Sequence, residues 1–266
     1  MPITSSVPRD PVALYCESHE PPPASLFAVE PAGWEDNVTD WCLGQFREHY
    51  SDPAITKDDI WEYLYGVMHA PDWRERFRHD LQRSLPRVPF APDFEAFRAA
   101  GQELMELHVG YEWCPELPLV CLVDGEPSEG DADGQAYRIH KQMRWEQLSG
   151  SKARGKAGQD RSVLLVNDRC SLVGIPSRCS DYTVSGRSPL EWAIDSLRHK
   201  HDKKSGIVDD PNRWHVWADE PFELIRHLRR LAHLSMRSAE IIDALPPSLD
   251  AAIASSASST ASGSAS

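Results

Sequence analysis

The hydrophobic period of this chain changes near its middle, and that change constrains the fold more than any single motif. From Ile55 to Glu112, apolar residues recur three and four positions apart, the spacing of helices that bury one face. "ITKDDIWEYLYGVMHAP" (55–71) opens with Thr56 and Asp59, three apart as a capping box requires, carries Ile60, Leu64 and Val67, and stops at Pro71. A second helix is expected in "PDWRERFRHDLQRSL" (71–85), where Trp73, Phe77, Leu81 and Leu85 form a stripe. A third is expected in "DFEAFRAAGQELMELHVGYE" (93–112), with Phe94, Phe97, Leu104 and Leu107 on one side. Farther along the period shortens. "AYRIHKQMRWEQ" (136–147) alternates, and "RSVLLVND" (161–168), "SLVGIP" (171–176) and "DYTVSG" (181–186) are β-rich runs bounded by turn formers. Helices return in "SPLEWAIDSLR" (188–198), with Ser188 and Glu191 as a capping pair, and in "PFELIRHLRRLAHLSMRSAEIIDAL" (221–245), which ends at Pro246 and Pro247. The expected class is α+β: a helical N-terminal half packed on a small, mostly antiparallel sheet with C-terminal helices.

The ends are expected to differ from this core. The first thirty residues carry Pro2, Pro8, Pro11 and Pro21-Pro22-Pro23 and lack the basic-then-apolar pattern of a signal peptide. "AAIASSASSTASGSAS" (251–266) holds too little apolar surface to order itself, so 248–266 is expected to be a disordered tail. No run approaches the length needed to span a membrane, and the six cysteines form no C-x-x-C pair, which points to reduced core thiols of a cytoplasmic protein.

Enzymatic motifs fail on inspection. "GSKARGKA" (150–157) has the G-x-x-x-x-G-K spacing of a phosphate loop, but Ala157 stands where a magnesium-binding Ser or Thr is needed, and a strand follows instead of a helix. A calcium loop starting at Asp131 breaks at Gln135 and Ala136. "HKHD" (199–202), with His215 downstream, lacks a partner at helical spacing and reads as surface histidines. No nucleophile elbow and no dinucleotide fingerprint is present. The sequence thus assigns no catalytic residue and no metal.

Charge is the remaining signal. The net charge of −13 opposes indiscriminate attraction to nucleic acid. Its distribution is uneven, however: Glu112–Gly134 holds seven acids and no Lys or Arg, whereas Arg138–Arg161 holds seven bases against Glu146 and Asp160. A basic stretch on an acidic protein is what a local anion-binding face looks like, and a solvated hairpin tip looks the same.

Several blocks, in order, resemble the C-terminal specificity domain of type ISP restriction-modification enzymes: "ITKDDIWEYLYGVMHAPDWRERFRHDLQRSLPRVPF", "FRAAGQELMELHVGYE", "MRWEQLSG", "LVGIPS", "VSGRSPLEWAIDSL" and "DKKSGIVDDPNRW". The likeness runs from about Asn37 to about Leu245, which makes 37–247 the expected target-recognition domain. "PVALYCE" (11–17) resembles the run just ahead of that domain, so 1–36 is expected to be the end of a methyltransferase junction. In that family a nuclease, a helicase-like translocase, an adenine methyltransferase and this part share one polypeptide, and this part reads a short asymmetric DNA sequence. The resemblance implies double-stranded DNA as partner, a chain that is either a split subunit docking on a separate methyltransferase–translocase chain or a remnant of a broken gene, and no cofactor here. S-adenosylmethionine, ATP and magnesium would belong to the catalytic parts.

Candidate DNA-binding residues follow from the basic segments. They are Lys152, Arg154, Lys156 and Arg161 in the first stretch, Arg187 at a helix start, and Lys200, Lys203, Lys204, Asn212 and Arg213 around a Gly-containing loop. Asn212 and Arg213 are the candidates for base edges. Trp192, Trp214 and Trp217 are expected to pack that loop on the last helix. The competing reading is a protein-interaction module that kept the fold and uses its acidic loop on a basic partner.

Overall fold

Thr39 and Thr56 start the first two helices of the computed structural model, each accepting a backbone N–H of the first turn through its hydroxyl. The structure describes residues 37–82, 88–148, 158–213 and 216–246. Contacts divide the chain after Asn37, and the unit described here begins at Val38. Lys152, Arg154, Lys156, Trp214, His215, Leu85, the junction 1–36 and the tail 248–266 lie outside the described residues or, for Asn37, outside this unit.

Helix α1 (Asp40–Tyr50) is followed by α2 (Lys57–His69), whose capping box is complete: the Thr56 hydroxyl accepts from the Asp59 N–H and the Asp59 carboxylate accepts from the Thr56 N–H. The expected helix over 71–85 is corrected. α3 spans only Pro71–Arg76, a 3-10 turn follows at Asp80–Gln82, and Leu81 is 41% exposed. Trp73 is the one residue of α3 that is fully buried, and a helix this short is held by its anchor and not by its own propensity. α4 (Phe94–Val109), capped by Asp93, lies against α2 at Gly66 and Gly101. Around this pair Phe46, Ile60, Tyr63, Val67, Trp73 and Phe97 form one core. Tyr63 closes it, its hydroxyl donating to the Pro89 carbonyl at 2.6 Å and accepting from the Ala91 N–H at 2.7 Å.

The sheet is antiparallel throughout, in the order β2-β1-β5-β4-β3. Its strands are β1 (Val120–Val123), β2 (Glu126–Pro127), β3 (Arg144–Gln147), β4 (Gln159–Leu165) and β5 (Cys170–Val173). β1 and β2 are joined by Asp124-Gly125, both at positive φ (52° and 90°), the two-residue loop whose twist suits a hairpin. Two sequence expectations are corrected here. "DYTVSG" is not a strand: Val184 and Arg187 exchange backbone hydrogen bonds across Ser185 and Gly186 (φ 51° and 77°), while Tyr182 is buried against Leu234 and Ala239. The alternation of 136–147 yields a strand only from Arg144, since Gly134–Tyr137 is a 3-10 turn and Tyr137 is buried.

Helix α5 (Pro189–Ser196) has the expected Ser188–Glu191 box, and α6 (Glu223–Asp243) is the longest element described. Both pack on the sheet: Leu164, Leu172, Cys121 and Trp145 meet Leu190, Leu224, Ile225 and Leu228 in the second core. The α+β class is as expected, and α6 is what joins its halves. Its Ser238 hydroxyl bonds His108 of α4 at 2.8 Å, its Arg237 pairs with Glu103, and its Arg229 carbonyl accepts from the Leu117 N–H.

Candidate nucleic-acid interface

Three acids of the acidic segment meet arginines remote in sequence. Asp124 takes a bidentate grip from Arg169 (2.6 Å to Nη2, 3.0 Å to Nε), and Glu129 one from Arg229 of α6 (2.7 and 2.8 Å). Both guanidinium groups hold their carboxyls below the usual carboxylate range. Glu116 lies within 4 Å of Arg226, Arg229 and Arg230. Asp131 accepts from the Ser128 hydroxyl, and Asp133 caps the turn that buries Tyr137. Four of the seven acids are therefore tied into the packing of α6 and its neighbouring loops or into local turns, and Glu116 sits among three arginines of α6.

The same accounting separates the predicted cations. Arg161 pairs with Glu191, donates to the Ser180 hydroxyl at 3.0 Å and lies over the Trp145 ring. Arg187 pairs with Asp195 at 2.7 Å and lies 4.9 Å over Trp192. Asn212 is buried. Lys200, Lys203, Lys204 and Arg213 behave differently: the three lysines share one hairpin, and Arg213 follows it in the 3-10 turn Pro211–Arg213. β6 (Lys200–His201) and β7 (Val208–Asp209) form a two-stranded hairpin in which every residue from 200 to 208 is exposed. Among the described residues, its three lysines make no ion pair within 4 Å, although Lys200 lies near enough to Asp195 to help lower that carboxyl, and Arg213, 84% exposed, has only a loose contact with Asp210 at 3.5 Å. Lys152, Arg154 and Lys156 lie outside the described residues; at their flanks the Leu148 N–H donates to the Gly158 carbonyl, beside the pairing of β3 with β4.

Asn212 holds the base of the 200–209 hairpin. Its carbonyl accepts from the Ile139 N–H and its amide donates to the Ile139 carbonyl, both at 2.8 Å, with a second donation to Asp210. Arg138 donates to the Asn212 and Ala218 carbonyls, and the His199 N–H donates to the Lys141 carbonyl at 2.8 Å. Trp217 is buried, gives its ring N–H to the Pro211 carbonyl and lies 5.2 Å from His227 of α6, as expected; Trp192 instead stays half-exposed beside Val184. With both amide groups engaged inside, Asn212 acts on the interface by fixing its neighbours. Asn212→Ala is expected to cost on the order of 2 kcal/mol, because the buried Ile139 N–H loses its partner; urea denaturation measures this.

Sequence reasoning passed over Asn167, which clamps the other side of the same segment. Its amide donates to the Ala136 and Arg138 carbonyls and its carbonyl accepts from the Arg169 and Cys170 N–H groups. An Asn between a strand and a turn was the only local sign. It also passed over Lys141, an exposed cation whose backbone is tied to the hairpin. His199 of "HKHD" faces the Ile139 carbonyl, and no group of three metal-ligating side chains occurs among the described residues. Nor is any described helix long and apolar enough to cross a membrane.

An α+β domain that ties most of its arginines to carboxylates and displays free lysines on one projecting hairpin has the make-up of a polyanion-binding module. The chain belongs to the family of Type ISP C-terminal specificity domains, whose model matches residues 11–227. Solved structures agree. The chain is similar to the nuclease-deletion mutant of the Type ISP restriction-modification enzyme LlaGI in complex with a DNA substrate mimic (32% identity over 72% of this chain, TM-score 0.57). It is similar to the ATP-dependent Type ISP enzyme LlaBIII bound to DNA (28%, 78% of this chain, TM-score 0.62) and to the DrdV–DNA complex (30%, 80%, TM-score 0.63). It spans 14%, 12% and 20% of those three chains respectively. No curated protein matches it.

Proposed function

We propose that this chain is the DNA sequence-recognition module of a Type ISP restriction-modification system and works with a methyltransferase–translocase–nuclease polypeptide. The observation that carries the reading is the pairing of family membership with the hairpin 200–209. The similar LlaGI, LlaBIII and DrdV structures hold DNA or a DNA mimic, and the hairpin offers exposed lysines, whereas most of the described arginines are paired with carboxylates. Phosphate binding draws its energy from such cations through counterion release. Lys152, Arg154 and Lys156, outside the described residues, are proposed as further phosphate contacts. S-adenosylmethionine, ATP and magnesium are proposed to act on the partner polypeptide. The competing protein-interaction reading loses part of its support, because Glu116, Asp124 and Glu129 of the acidic segment already meet the chain's own arginines.

Anisotropy titration of a labelled mixed-sequence duplex, at low and at moderate salt, tests this. Binding is expected to be weak and salt-dependent. Lys200→Ala, Lys203→Ala and Lys204→Ala are each expected to flatten the slope of log affinity against log salt by about one. Absence of binding at both salts, with the cognate methyltransferase chain added, overturns the reading.

A further inference from the structure

The hairpin 200–209 carries two features that phosphate binding leaves unused. The first is apolar exposure: Ile207 is 66% and Val208 is 64% exposed, among the most exposed large aliphatic side chains in the described residues. The second is that both faces of the ribbon are open. Cross-strand pairing sets His201 opposite Val208 and Lys200 opposite Asp209, so His201 and Val208 share one face. Ile207 falls on the other, with Asp202, whose N–H donates to the Ile207 carbonyl at 2.9 Å. Each face thus ends in one β-branched aliphatic residue beside a lysine-bearing strand or turn.

A lone two-stranded hairpin is marginal in water, yet this one is well built. The Asp202 carboxylate accepts from the Lys204 and Ser205 N–H groups, the Gly206 N–H donates to the Asp202 carbonyl, and Gly206 supplies the positive φ of 73°. Below it, Asn212 and His199 bolt the strands to Ile139 and Lys141. A stiff ribbon of this width fits the major groove, where lysines reach phosphates on the rims and aliphatic groups meet the thymine C5 methyl, an apolar mark unique to that groove. Lys200, Lys203 and Lys204 outnumber Asp202 and Asp209 on the ribbon, the similar LlaGI, LlaBIII and DrdV structures hold DNA or a DNA mimic, and duplex DNA is therefore the occupant, with an exposed aliphatic residue on each face to read it.

We infer that the 200–209 hairpin lies along the major groove with its β7 edge toward the base pairs, so that Ile207 on one face and Val208 on the other each meet a thymine methyl group, while Lys200, Lys203 and Lys204 reach the phosphates. This inference rests on the proposed function above, and its test separates the two. The full chain is used to select duplexes from a randomised library, with its methyltransferase chain present if binding requires it. The selected duplex is then titrated in two forms, with thymine and with uracil, which lacks only the methyl. The wild-type chain is expected to bind the thymine form about fourfold more tightly for each methyl contacted. Ile207→Ala with Val208→Ala is expected to abolish that preference while keeping the salt slope; both sites are exposed, and circular dichroism checks that the fold persists. Lys203→Ala with Lys204→Ala is expected to do the reverse, lowering the slope and keeping the preference. Equal wild-type affinity for both forms, a consensus without thymine, or a preference that survives in the aliphatic double variant overturns the inference and leaves the proposed function standing, whereas no consensus at all overturns both. Failure of the wild-type chain to bind any duplex overturns both.

Discussion

Gly101→Ala is expected to destabilise the protein by on the order of 3 kcal/mol, although alanine is favoured over glycine in a helix by about 1 kcal/mol. A Cβ at Gly101 would lie 1.8 Å from the Glu62 carbonyl oxygen, 2.7 Å from its carbon and 2.8 Å from the Gly66 nitrogen. All three are backbone atoms of α2, which cannot swing aside as a side chain can. α2 and α4 must therefore separate, and separation opens the core around Phe97, Tyr63 and Val67, whose close packing stabilises the helical half. Gly66→Ala meets the Phe97 carbonyl oxygen at 2.1 Å and is expected to behave alike. The double variant should cost less than the sum of the singles, because helices already forced apart accommodate the second methyl. Urea denaturation of the three variants measures this; a Gly101→Ala chain as stable as wild type would show that the helices do not meet so closely.

Stability is expected to fall between about pH 6.5 and about pH 4 through His108. Its ring sits between the Tyr65 hydroxyl on Nδ1 and the Ser238 hydroxyl on Nε2, both at 2.8 Å, with Tyr182 stacked at 5.2 Å and His69 at 5.5 Å. Burial, aided by His69, pushes the His108 pKa down to about 4, and burial lowers that of His69 as well. In the unfolded chain a histidine takes up its proton near pH 6.5. Between these values the unfolded state binds the extra proton and the folded state does not, so acidification favours unfolding. For His108 the loss amounts to roughly 2–3 kcal/mol once pH reaches about 4, and nothing is lost above neutrality. His108→Gln removes the titration while keeping hydrogen-bonding atoms beside Tyr65 and Ser238. Denaturation across this range should show a shallower pH dependence in the variant, and identical slopes would rule out His108 as the titrating group.

These two sites differ in how far the sequence announced them. Gly101 stands inside a clear helical pattern, where the sequence shows a poor helix former without a reason; the reason is the backbone of α2 crossing above it. His108 is one of eleven histidines and carries no local mark. Its character comes from Tyr65, 43 residues before it, and Ser238, 130 residues after it. The candidate interface shows the same division. Lys203 and Lys204 were legible as exposed because "DKKSG" is a turn sequence whose Asp and Gly close it locally. Arg161 and Arg187 read as equally cationic, and folding set Glu191 and Asp195 beside them. The overlong second helix failed for a related reason: a stripe of Trp73, Phe77 and Leu81 is a helical face only if something packs on all of it, and only Trp73 found a full cover.

What the sequence by itself determined is what can be written within a few residues: the Thr56–Asp59 and Ser188–Glu191 caps, the stop before Pro246, the change from helical to β period, and so the α+β class. Tertiary structure alone decided which charges remain available. Glu129 meets Arg229 across 100 residues and Asp124 meets Arg169 across 45, so part of an apparently acidic segment is paired at the surface, and three lysines on one hairpin were left facing solvent. The physical reason is range. A cap or a turn closes a hydrogen bond whose two partners are near neighbours in the chain, whereas neutralising a charge needs only an opposite charge within about 4 Å in space, and that proximity exists only once the chain has folded.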